Sequence, residues 1–124
     1  MTLADATIAL AGIGALSFAV LAVLYMRDAA EGLSFSGHRM EKLPEVMTDR
    51  YVAFALLTLF AALYGDLAVI AALFGVFAFM GLADAWIYAR GGFGYAKHLA
   101  AGASAIFVMG LAVLALIVSG ENLT

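Results

Sequence analysis

The sequence contains no cysteine, a single proline, Pro44, and only 12% charged residues in 124. Without cysteine there are no disulfides and no thiolate metal sites, and the redox compartment leaves no mark on the composition. So low a charged fraction lies far from the roughly 25% of soluble domains and excludes an ordinary water-facing surface. Six lysines and arginines against nine aspartates and glutamates leave a net charge of -3. No nucleic-acid partner is expected, and in a membrane chain the distribution of charge says more than its sum.

What the chain has instead is apolar length: 66% of it is hydrophobic, with a mean hydropathy of +1.07. Uncharged apolar runs of about 20 residues mark helices that cross a bilayer, because a helix satisfies its own backbone polar groups in lipid. Four such helices are expected, over residues 6–26, 44–64, 67–89 and 95–119, the second opening at Pro44, a good first-turn residue. The first run lacks the basic segment of a secretory signal and is expected to stay as a span. Gly65-Asp66 reads as a tight turn and "RGGFG" as a short flexible one, so only 27–43 is a long polar connection. Short connections imply antiparallel neighbours. The expected fold is all-α: a polytopic membrane protein forming an antiparallel up-down-up-down bundle of four transmembrane helices, one domain over 1–124.

Orientation follows from the basic residues. All six, Arg27, Arg39, Lys42, Arg50, Arg90 and Lys97, fall on the side of 27–43 and the "RGGFG" turn. By the positive-inside rule that side is cytoplasmic and both termini are not, with the inner (plasma) membrane as the expected location. Tyr25, Tyr51, Trp86, Tyr88 and Tyr95 fall at the same ends, where amphipathic rings sit.

One carboxylate breaks the pattern. Asp84 lies six residues, hence about 9 Å of helix rise, deeper than Arg90. An ionised aspartate costs about 2.5–3.5 kcal/mol at mid-membrane on insertion scales and less near the edge, so Asp84 is expected to face the bundle and find a partner. Helical spacing puts Phe77, Gly81, Asp84 and Tyr88 on one stripe, with Gly81 leaving room one turn below the carboxylate. His98 opens the fourth run across the hairpin, and Asp49 and Arg50 open the second from the same side. Two uses of this cluster stand open. It is a structural ion pair that fixes helix register, or Asp84 and His98 handle a proton while Arg50, with Asp49, Tyr88 and Gly81, binds a ligand.

Other signals are weaker. "GGFG" follows a lipid-embedded helix and lacks the Lys-Ser/Thr of a phosphate loop. His38 sits in the long connection rather than on a helix facing His98, so a haem held by the two is not expected, and neither is another metal. Small residues are dense, with Ala11, Gly12, Gly14 and Ala15 in the first run, Ala71 and Gly75 in the third, and Ala101, Gly102 and Ala105 in the fourth. They are expected at close helix contacts. The first run has no carboxylate after Asp5, unlike small multidrug resistance transporters, and lacks the Gly-rich, Arg-containing signature of fluoride channels.

Asp49-Arg50 opening the second run, "GLADAWIYARGG" closing the third and His98 opening the fourth resemble uncharacterised four-helix membrane families of the DoxX-like kind, over roughly residues 20–118. In the family pattern the arginine precedes its polar neighbour, whereas here Asp49 comes first. The resemblance implies a polar site shared by Arg50, Asp84 and His98 and no agreed activity. The expected function is that of an accessory or small lipophilic-ligand-binding membrane protein, with a polar site near its cytoplasmic side and the bilayer, a second copy or a membrane subunit as partner. The alternative is a small membrane isomerase or cyclase using Asp84 and His98 as acid and base. Proton-coupled transport is the weakest, since only Ser17, Thr58 and Ser104 interrupt the remaining depth.

Overall fold

The computed structural model describes residues 2–121, without the side chains of 4, 8–12, 14, 15, 17 and 121. The small residues Ala11, Gly12, Gly14 and Ala15 thus lie outside the described side chains. Among the described residues the chain is helical, with no strand: α1 (Leu3–Arg27), α2 (Ala29–Ser36), α3 (Leu43–Tyr64), α4 (Leu67–Arg90) and α5 (Ala96–Glu121), with a 3-10 turn at Met40–Lys42. Three stretches, Met40–Tyr64, Leu67–Arg90 and Ala96–Gly120, are long and apolar enough to cross a membrane. Contacts divide the chain into two units, Met1–Tyr51 and Val52–Thr124, and the boundary falls inside α3.

In the first unit, α1 opens on a capping box. The Thr2 hydroxyl accepts from the Asp5 N–H at 3.1 Å, and the Asp5 carboxylate accepts from the Thr2 N–H at 2.8 Å. These bonds satisfy donors that a helix start leaves orphaned, and the Thr2 backbone bond, with its hydroxyl bond, holds the Asp5 carboxyl below its ordinary range. Asp28 both ends α1 and starts α2. Its N–H donates to the Leu24 carbonyl at 3.0 Å, and its Oδ1 accepts from the N–H groups of Ala30 at 2.9 Å and Glu31 at 3.4 Å. The polar connection is therefore ordered, because one extended residue, Asp28, caps helices on both sides of it. Gly32 of α2 is buried under the Tyr25 ring, so close that a Cβ there would stand 2.7 Å from the ring carbon Cγ, and the Tyr25 hydroxyl is 2.7 Å from Ser36 Oγ. Gly37 then ends α2 at φ 76°, in the left-handed region that favours glycine.

The second unit is built on a hairpin. Gly65, at φ 76°, turns the chain after α3, and Asp66 caps α4 by accepting from Ala68 N–H at 2.8 Å and Val69 N–H at 3.1 Å. After α4, Gly92 at φ 75° reverses the chain into α5. The two helices run antiparallel, with Gly75 against the Met109 sulfur and Gly81 against Gly102. The buried positions on this seam are small: Ala78, Gly81 and Ala85 on α4, Gly102, Ala105 and Ala112 on α5. Large side chains point away from it, Phe79 71% and Phe107 67% exposed. This is the inverse of a water-soluble core, and it suits lipid, where close packing of backbones rather than expulsion of water holds helices together. Phe54 of α3 meets Phe77 edge-on at 5.7 Å, and Phe77 meets Phe74 at 5.6 Å. Hydroxyls inside the apolar helices are satisfied locally, Thr58 donating to the Phe54 carbonyl at 2.7 Å and Ser104 to that of Ala100 at 2.8 Å.

Candidate functional site

Asp84 and Tyr88 lie one helical turn apart on α4, and His98 is the third residue of α5. Contacts across the hairpin pair Gly81 with Gly102 and Asp84 with His98, so α5 starts about one turn below the end of α4 rather than level with it. The structure places Asp84 Oδ2 at 3.7 Å from His98 Nδ1. That is an ion-pair distance, longer than the roughly 2.7–3.2 Å of a hydrogen bond. The Tyr88 ring lies over the imidazole, centroids 4.5 Å apart and planes inclined by 39°, and Phe93 from the turn meets Tyr88 at 6.1 Å.

Gly81 sits one turn below Asp84, and its role is spatial. A Cβ there would come within 2.6 Å of the Gly102 nitrogen and 3.2 Å of the His98 carbonyl oxygen. The first turn of α5 reaches Asp84 only because Gly81 lets the two backbones touch. The site is open: the Asp84 side chain is 49% exposed and that of His98 33%. Arg90, the nearest cation along α4, has its guanidinium 5.8 Å above the Trp86 ring. Among the described residues the one ion pair of Asp84 is with His98.

Gly81, Asp84, Tyr88 and His98 are thus brought together within the second unit. Asp49 and Arg50 belong to the first, where Arg50 Nη1 is 3.8 Å from Asp49 Oδ1 and Nη2 is 3.4 Å from His38 Nε2. The contact with His38 is one that sequence reasoning missed. It depends on α2 and on the Gly37 turn, which carry His38 from the connection back to the first turns of α3, and residue spacing holds no signal for that. Among the described residues no three His, Cys, Asp or Glu side chains gather as metal ligands do.

What the site offers chemically is a carboxylate, an imidazole whose Nδ1 faces it, and an aromatic face, all at one end of an apolar hairpin. Compared with protein-family models, with curated proteins and with solved structures, the chain gives no match.

Proposed function

We propose that this chain is a multi-pass protein of the inner (plasma) membrane that binds a small lipophilic ligand at Asp84 and His98, as an accessory rather than a catalytic component. In this reading it crosses the bilayer four times in an antiparallel up-down-up-down bundle with both termini outside the cytoplasm, α1 joining the three apolar stretches as the first span. The placement of every lysine and arginine on the side of 27–43 and the "RGGFG" turn supports the orientation. The pattern of Arg50, Asp84 and His98 supports kinship with DoxX-like four-helix families as part of the same proposal.

The observation that carries the ligand reading is the approach of Asp84 to His98 at 3.7 Å with half of the carboxylate side chain still open. A pair that served only to fix register would gain by closing, since an open charge within the apolar length of a helix keeps its desolvation cost. Spare acceptor capacity beside an aromatic ring is what a ligand site needs. Turnover of a lipophilic substrate is the second reading, favoured by the same facing of carboxylate and Nδ1, which is the arrangement of an acid-base pair.

The test is calorimetry on the full chain in a neutral maltoside detergent, with two aryl probes of similar size, tetraphenylphosphonium and triphenylphosphine oxide. At least one should bind, and Asp84→Asn should weaken it about tenfold or more. If neither binds, or if Asp84→Asn lowers only the melting temperature, the pair is structural and the proposal falls.

A further inference from the structure

We infer that the open end of the α4–α5 hairpin takes an organic cation, a molecule with an apolar body and one positively charged head. This rests on the reading of Asp84 and His98 as a ligand site and names the class of ligand. The groups available there are electron-rich. An ionised Asp84 only accepts hydrogen bonds. The neutral imidazole of His98, with Nδ1 3.7 Å from that carboxylate, adds a ring nitrogen that accepts. Tyr88 adds a ring 4.5 Å from the imidazole, and the faces of such rings are the negative end of their quadrupole. A neutral carbonyl or an anion would meet acceptors opposite its own acceptors.

Nearby cations leave the position unfilled. Arg90 is drawn over Trp86, and among the described residues neither it nor Lys97 pairs with Asp84. The charged and titratable groups around His98 are Asp84, Tyr88 and Arg90 on α4 and Tyr95 and Lys97 at the start of α5. Of these, Asp84 and Tyr88 are the ones in contact with the ring.

His98 itself is the stand-in for the ligand. Its flat, delocalised ring lies beside a carboxylate and an aromatic ring, the surroundings in which organic cations are bound. An incoming cation takes the place beside Asp84 that the imidazole edge now holds.

Three probes of related shape separate the outcomes: tetraphenylphosphonium, tetraphenylborate and neutral triphenylphosphine oxide, titrated calorimetrically into the full chain in maltoside detergent. The phosphonium should bind about tenfold or more tighter than the oxide, with the borate weakest. Tyr88→Leu, at an exposed position that leaves the seam intact, should weaken the phosphonium several-fold and spare the oxide. Oxide or borate binding as tightly as phosphonium overturns the inference and leaves a ligand site of another class. Failure of all three to bind overturns the ligand site with it.

Discussion

The backbones of Gly81 and Gly102 touch: a Cβ on Gly81 would stand 2.6 Å from the Gly102 nitrogen and 2.7 Å from its Cα. Neither atom belongs to a flexible side chain, so nothing but the whole of α5 can give way. The distance from Asp84 to His98 depends on this contact, because the His98 carbonyl is the third atom that such a Cβ would meet.

Gly81→Ala should therefore lower stability by about 1–3 kcal/mol, the usual cost of overpacking. It should also weaken probe binding by moving His98 away from Asp84. Gly110→Ala is the control, since a Cβ there meets nothing within 4 Å. Thermal unfolding in detergent compares the two, and equal melting temperatures would refute the account of the seam.

The corner between α1 and α2 makes a second case. Tyr25→Phe removes a hydroxyl that lies 2.7 Å from Ser36 Oγ and should cost about 0.5–1.5 kcal/mol while keeping the ring over Gly32. Gly32→Ala must displace the ring and should cost more. Amide exchange in α2 reads both, faster exchange in Gly32→Ala than in Tyr25→Phe being the expected order.

The absence of cysteine makes topology testable with single thiols. Leu3→Cys and Ser34→Cys, both at exposed positions, should react with a membrane-impermeant maleimide from opposite sides of sealed vesicles. Labelling of both from one side would end the four-span proposal.

The cap at the start of α1 is pH-sensitive in one direction. Asp5 has its carboxyl held below the ordinary value of 3.8 by the backbone and hydroxyl bonds of Thr2. A depressed carboxyl contributes stability above its unfolded value and loses it as pH falls through the folded one. The Thr2 amide should thus be protected at neutral pH and lose protection only below that value, which amide NMR in micelles follows. Asp5→Asn should remove the pH step.

Much of this was legible in the residues. Apolar runs of bilayer length become helices because unpaired backbone groups are not tolerated in lipid, and Gly65-Asp66 and Gly91-Gly92 punctuate them because few other residues turn or cap so well. The meeting of Asp84 with His98 was expected from their nearness to the two ends of one tight reversal. Helix α2 was not legible, since eight residues make too short a stretch to show a period, and what holds it is the ring of Tyr25 on Gly32.

By itself, then, the sequence determined that the chain is helical and apolar, where its turns fall, and at what height along the hairpin its carboxylate and imidazole sit. Tertiary structure alone decided which residues of the two helices meet. The stripe of Gly81 and Asp84 marked one face of α4, but which small residue of α5 would meet it went to the pair of positions where two backbones can approach without a side chain between them. Here these are Gly81 and Gly102. The same holds for Arg50, whose neighbour His38 was set by the fold of the segment between α1 and α3.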